Sequence, residues 1–237
     1  MKVVNNTFTI NVKEAITIDA KYKMTQEQNI FVAKRNIVDY IWKSANLEGI
    51  SVTFPETDAI YNGISVPNMK IDDIVAINNL KHAWRFILSS IDYPMDFPML
   101  LKINQYVGSN LFYNPGYIRN IPVHIGGTAW KPEMPIESKI KEEMQDVLKI
   151  EGITDRAITL MLWSMRRQNF TDGNKRTSML AANQILIAGG EGIVSVPMEL
   201  HRDFSVMLVD FYKTNKMDEI KKWLYNNCID GIDFPQE

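Results

Sequence analysis

The run Arg166-Arg167-Gln168-Asn169-Phe170-Thr171-Asp172-Gly173-Asn174-Lys175-Arg176-Thr177 gathers the residue types best suited to holding a phosphate. Asp172-Gly173-Asn174 is turn chemistry, so the chain is expected to bend there. A helix should follow at once, because Leu180, Ala181, Gln184, Ile185 and Ala188 keep a helical pattern until Gly189-Gly190 stops it. A helix start presents unpaired backbone N–H groups and the positive end of a dipole, and both favour an anion. Lys175 and Arg176 add two full positive charges at that place, while Asp172 offers a hard oxygen suited to Mg²⁺. These are the parts needed to hold a metal-bound polyphosphate. The same residues also describe a capped helix with a solvated charge cluster, and the short loop alone leaves both readings open.

The elements that must position this loop are mainly helical. Ile158, Leu162 and Met165 recur at spacings of four and three upstream of it, which predicts a helix running into the loop. Earlier in the chain, residues 7 to 19 alternate in places (Phe8, Ile10, Val12) and read as a short strand or extended arm. Thr25-Gln26-Glu27-Gln28 resembles a capping box, and the apolar face after it predicts one helix to about Leu47, stopped at Gly49. Further helices are expected over 71–91, 100–111, 136–148, 199–214 and 217–227, about eight in all. Between them Tyr117, Ile121, Val123 and Ile125 are β-type and Gly126-Gly127 follow, which predicts a hairpin over 117–128. The expected fold class is mainly α with one small β-hairpin.

Composition narrows the function classes. With 237 residues, 46% of them hydrophobic, the chain can bury a substantial core as one domain plus an extension. Its net charge is −2 with both signs interspersed, so it carries no electrostatic footprint for nucleic acid or an anionic membrane. The single cysteine, Cys228, cannot form an internal disulfide and suits a reducing compartment. The Met1–Asn6 start is too polar for a signal peptide, and no apolar run is long enough to span a bilayer, so a cytoplasmic location is expected.

Phe170-Thr171-Asp172-Gly173-Asn174-Lys175-Arg176 resembles the core loop of the Fic/Doc family, which reads His-x-Phe-x-(Asp/Glu)-(Gly/Ala)-Asn-(Gly/Lys)-Arg. The resemblance implies that Asp172 is the Mg²⁺ ligand, that Gly173, Asn174, Lys175 and Arg176 form the nucleotide-phosphate cradle, and that Phe170 is a buried anchor. Two further stretches resemble the family in the expected order. Gly116-Tyr117-Ile118-Arg119 followed by Asn120–Gly127 is similar to the Fic flap, whose edge pairs with a target segment by β-augmentation. Ile121, Pro122, Val123, His124, Ile125 and Gly126 would then bind the target protein. Ser44-Ala45-Asn46-Leu47-Glu48-Gly49 fits the family's inhibitory motif, (Ser/Thr)-x-x-x-Glu-(Gly/Asn), in which the Glu enters the nucleotide site. Ser44, Glu48 and Gly49 are its matching positions. The matches span about residues 27 to 190. They imply a Fic-fold helical bundle with a β-hairpin flap, divided into an N-terminal extension (1–26), a helical segment carrying the inhibitory-like motif (27–70) and a core domain (71–237).

Two departures bear on activity. Gln168 falls where the family has its general-base His, and an amide cannot take up a proton near neutral pH. Losing a positioned base typically costs about 10²–10⁴-fold in rate. The AMP-transferring members continue Arg-x-x-Arg, but three residues after Arg176 this chain has Met179, so the expected partner of Glu48 is missing. Arg176, Lys175 and solvent are the alternatives left to it. Lys175 in place of Gly is a mark of Doc-like members. The resemblance therefore implies an AMP-transferase moving AMP from ATP and Mg²⁺ to a Ser, Thr or Tyr hydroxyl of a target protein, with much reduced activity. A catalytically inactive regulatory binder and a Doc-like phosphotransferase are the alternatives, and a second copy of the chain stays open as a partner. His82, His124 and His201 lie outside the loop; His124 is on the flap and could approach it in space.

Overall fold

The computed structural model describes residues 16–234. Ten α-helices follow in order over these residues: α1 (Gln26–Arg35), α2 (Ile37–Leu47), α3 (Phe54–Tyr61), α4 (Ile71–Ser89), α5 (Phe97–Gly108), α6 (Glu137–Leu148), α7 (Ile153–Arg167), α8 (Asn174–Gly189), α9 (His201–Thr214) and α10 (Asp218–Cys228). The mainly α expectation holds. Of the expected strand or arm over 7–19, residues 7–15 lie outside the described residues, and 16–19 form no strand.

The centre is the α7–α8 hairpin. Almost every residue of α7 is buried, polar ones included, which marks a helix surrounded on all sides. α8 packs along it, with α5, α4 and α1 on its other flanks, while α6 and α10 close over α7. One buried polar group in this core is well partnered: Glu143 on α6 accepts from Trp163 Nε1 at 3.0 Å and pairs with Arg167 Nε at 2.9 Å. Such pairing is what makes burial of these groups tolerable.

The expected single helix from Thr25 to Leu47 is two. The Thr25–Gln28 capping box starts α1, with bonds of 2.8 and 3.1 Å, but Asn36 breaks the run with φ −106° and ψ 10°. An Asn side chain competes for local hydrogen bonds and is a poor helix interior residue. The break lets α1 stay on α8 while α2 swings onto α3 and α4. α3 was not expected, although its start is legible: Thr53 and Glu56 form a second capping box, with Pro55 in the first turn. At the far end of α8, Gly190 adopts φ +74°, and a Cβ there would collide with the Met24 carbonyl. That close approach pins the segment before α1 to the end of α8, through the Met24 N–H to Gly190 O bond of 2.8 Å.

The β element is not where the hairpin was expected. Among the described residues it is one antiparallel pair, β1 (Ile193–Val194) with β2 (Ile229–Asp230), remote in sequence from 117–128. Residues 117–128 make no strand ladder; they run as bends and irregular backbone with a turn at Gly126-Gly127. Pro122 lacks a ladder donor, and the segment is anchored by the Arg119 side chain instead of by a partner strand.

Candidate functional site

The turn between α7 and α8 is built by its own side chains. Gln168 ends α7 in the left-handed region, φ +50°, and Gly173 at φ +74° opens α8. A Cβ on Gly173 would press to 2.9 Å from Val107 Cγ1 on α5, so this position needs glycine for space as well as for φ. Asn174 then holds the turn closed: its amide donates to Phe170 O at 2.8 Å and to Gln168 Oε1 at 3.1 Å, and its Oδ1 accepts from Phe170 N at 3.0 Å. Phe170 is buried in the core beneath. Outside the turn, Asn104 of α5, fully buried, donates to Asp172 O at 3.1 Å and to Thr177 Oγ1 at 3.1 Å, and accepts from Gly116 N at 2.8 Å.

Gln168 does not point a free functional group at solvent. Its Nε2 donates to Met165 O at 2.6 Å, capping the last turn of α7, and its Oε1 accepts from Asn174. Both polar atoms are thus engaged inside the loop.

α8 begins without a side-chain cap, so its first N–H groups keep the positive end of the dipole open. Asp172 is exposed beside it; one oxygen, Oδ1, accepts from Gly173 N at 2.5 Å and lies 3.5 Å from Arg176 Nη2. Its other oxygen has no hydrogen-bond partner among the described residues. Lys175 and Arg176 reach toward α2. Lys175 Nζ donates to Leu47 O at 3.3 Å and stands 3.7 Å from Glu48 Oε1, while Arg176 Nε is 3.9 Å from the same oxygen. α2 has no basic residue in its own last turn, so the cation at the negative end of that helix comes from the loop. Glu48 is the residue that ends α2, and Gly49 at φ +83° turns the chain away. Ser44 is buried on α2, and among the described residues no hydrogen bond joins it to Glu48. Of the partners open to Glu48, the structure brings it both Lys175 and Arg176. Met179 is buried one turn further along α8.

A cleft of about 350 Å³ opens over the turn. Gln168, Thr171, Asp172, Asn174 and Lys175 form its floor, with Glu48 at one side. Val123, His124, Ile125 and Gly126 form the flap wall. Ile121 and Pro122 are exposed but do not line it. The remaining wall is α9, through Ser205, Leu208, Val209 and Tyr212, which the motif reading did not include. Burial pushes the Tyr212 phenol well above its ordinary value, and the nearby charge of Glu48 pushes the same way, against the Gln168 side chain. Its proton therefore stays on at neutral pH. Tyr212 is itself held from behind: Trp130 stacks on its ring at 5.6 Å, and Arg166 sits 4.8 Å over Trp130 while donating from Nε to Tyr212 O.

The residues present fit a Mg²⁺-bound polyphosphate. Arg176 Nε is buried and has no hydrogen-bond partner, as is Glu48 Oε1 facing it. A buried guanidinium N–H left unused is costly unless an anionic oxygen can reach it. Asp172, with one free oxygen, could hold the metal, and Asn174, Lys175 and Arg176 the phosphates. Among the described residues no group of three or more His, Cys, Asp or Glu side chains could enclose a metal by itself. A single carboxylate shared with phosphate oxygens is the usual Mg²⁺ arrangement.

No protein-family model matches the chain. Over 181 residues it is 26% identical to the protein adenylyltransferase fic-1 of Caenorhabditis briggsae, an alignment covering 71% of this chain and 35% of that relative. The chain thus spans about a third of the curated relative's length. Its fold is similar to that of Fic-1 from C. elegans, with a TM-score of 0.72 at 21% identity over 82% of this chain and 62% of that one. It is also similar to a Fic-domain signalling protein from Bacteroides thetaiotaomicron, with a TM-score of 0.70 at 16% identity over 86% and 85% of the two chains.

Proposed function

We propose that the chain, similar to Fic proteins in fold and loop and 26% identical to an adenylyltransferase, is a Fic-family protein that binds Mg²⁺-ATP at the Asp172–Arg176 loop and transfers AMP to a target-protein hydroxyl only very slowly. The observation that carries the binding half is the convergence of Asp172 and Lys175, which line the cleft, and of Arg176, whose Nε has no hydrogen-bond partner, on the uncapped start of α8. ATP would supply the AMP group, and Mg²⁺ would neutralise its phosphates. The protein's share is to orient those phosphates with Asn174, Lys175 and Arg176 and to hold the target hydroxyl against them. Residues 121–126 suit the second task, because their backbone makes no ladder bonds of its own, leaving main-chain groups for a target segment. A cytoplasmic setting is part of this reading.

The slow transfer rests on Gln168. A hydroxyl attacks well only when its proton is taken as the new bond forms. Gln168 cannot accept a proton, and the Tyr212 phenol beside it keeps its own. Glu48, paired with both loop cations, would oppose phosphate seating and so add inhibition. One observation favours a second reading, a binding and regulatory protein with no chemistry: both polar atoms of Gln168 are used to build the loop, as in a structural residue.

Calorimetric titration with ATP and ADP, with and without Mg²⁺, tests the binding half. Saturable binding strengthened by Mg²⁺ is expected. If neither nucleotide binds at millimolar concentration, the loop is only a helix cap and the proposal falls.

A further inference from the structure

Arg119 is 3% exposed, yet among the described residues no carboxylate lies within 4 Å of it. All of its partners are backbone carbonyls and one thioether. Its Nε donates to Gln168 O at 2.6 Å, Nη1 to Ile121 O at 2.8 Å and to Met134 Sδ at 3.2 Å, and Nη2 to Glu133 O at 2.5 Å. Its backbone N–H donates to Asn169 O at 3.0 Å. A buried guanidinium without a counter-ion is costly, and burial together with Arg167 pushes its pKa down. What it gains in return is geometric. A planar fork with several fixed donors can hold separate segments in one frame, which a flexible ammonium cannot. The segments are the left-handed turn at Gln168-Asn169, the root of the flap at Ile121 and the strap at Glu133-Met134. Asn104 bridges the same junction from the other side, joining Gly116 N to Asp172 O.

We propose that Arg119 is a positioning residue that locks the flap to the phosphate loop, so that the backbone edge offered to a target and the cradle offered to phosphates are held in a fixed register. This deepens the nucleotide-binding reading, since only a register between those two sites gives the lock a function. The geometry itself stands without a ligand. With the fork intact, loosening either segment must loosen the other, because both hang on one side chain.

The test is amide hydrogen exchange on the full chain, comparing the native protein with Arg119→Met and Arg119→Lys. In the unliganded protein, Arg119→Met is expected to speed exchange about ten- to a hundredfold in both 120–126 and 168–174, as the loss of buried charged hydrogen bonds implies. Protection in α1 to α5 should stay unchanged, which a general loss of stability would not allow. Arg119→Lys keeps the charge without the fork and should loosen both segments by a smaller factor. If Arg119→Met does not fold, the Lys variant decides alone. Loosening of one segment only, or a Lys variant indistinguishable from native, overturns the lock. A second arm adds Mg²⁺-ATP: native protein should gain protection in both segments, Arg119→Met in the loop only. Equal protection of the flap in both proteins also overturns it. Absence of any nucleotide effect on the native protein sinks the nucleotide reading, while the unliganded comparison still decides Arg119.

Discussion

Glu48 Oε1 lies 3.7 Å from the ammonium of Lys175, a loop residue 127 positions later in the chain, and the same ammonium bonds the Leu47 carbonyl that ends α2. One cation thus serves the negative end of a helix, a carboxylate and, in the proposed function, a phosphate. The three demands compete. Because Arg176 also faces Glu48, the carboxylate opposes both cations of the cradle. Glu48→Gln is therefore expected to tighten binding of ATP, ADP and pyrophosphate alike, by about three- to tenfold for an incompletely buried pair. Calorimetric affinities for the three ligands check it. A gain confined to ATP would mean that Glu48 opposes the terminal phosphate alone.

In the proposed function Asp172 carries the metal half of the cradle. Asp172→Ala should leave weak nucleotide binding through Lys175 and Arg176 but remove its enhancement by Mg²⁺. Titrations at several Mg²⁺ concentrations read this directly. Persistence of the Mg²⁺ effect would move the metal to another ligand.

How much of this was legible in the sequence follows from the range of each interaction. The turn at Asp172-Gly173-Asn174 and the helices flanking it are set by local chemistry, and local chemistry reads from neighbours in the chain. The approach of Glu48 was legible only as a resemblance, since nothing near Ser44–Gly49 says which distant loop it meets. Arg119 stood in a recognisable flap start, but its work is done on carbonyls, which every residue has; no residue type at Gln168 or Glu133 advertises the bond. Tyr212 enters the cleft from α9 on an ordinary amphipathic face. The flap departs from expectation because β-type side chains suggest a ladder, whereas an arginine side chain supplies the anchor. The α1–α2 break hid in a continuous apolar face, where Asn36 was the only sign.

His201 opens α9 half-buried, with its ring bonded to Val196 O at 3.1 Å. Burial lowers its pKa, and Lys175 and Lys43 act in the same direction against the raising effects of Val196 O and Glu199. The folded protein therefore prefers the neutral ring, while the unfolded chain titrates near 6.5. Between the depressed folded value and 6.5 the unfolded state binds more protons, so stability rises with pH there and falls on acidification. Melting temperature should drop as pH falls below about 6.5, and His201→Gln, which keeps a donor for Val196 O, should flatten that part of the profile. An unchanged profile in the variant would assign the acid sensitivity to other groups.

The last prediction concerns chemistry. The native chain is expected to show little or no transfer from labelled ATP to itself or to added protein, and relieving Glu48 alone should not rescue it, since inhibition is not what is missing. Gln168→His restores a base at a position that already tolerates φ +50°, where His is among the better non-glycine residues. Its gain over Gln168 should reach about 10²–10⁴-fold when combined with Glu48→Gly. The change carries a structural cost, because Gln168 Oε1 is a partner of Asn174 and must be replaced in that role. Met179→Arg tests whether phosphate seating also limits the rate. That residue is 6% exposed and follows Arg176 by less than one turn, so the added charge should cost about 1–3 kcal/mol of stability unless it meets Glu48. The released product separates the mechanisms: pyrophosphate accompanies AMP transfer, and ADP accompanies phosphate transfer of the Doc type. If the native chain labels protein as fast as the His-bearing variant, another group supplies the base. His124, exposed on the flap wall of the cleft, is then the first residue to replace.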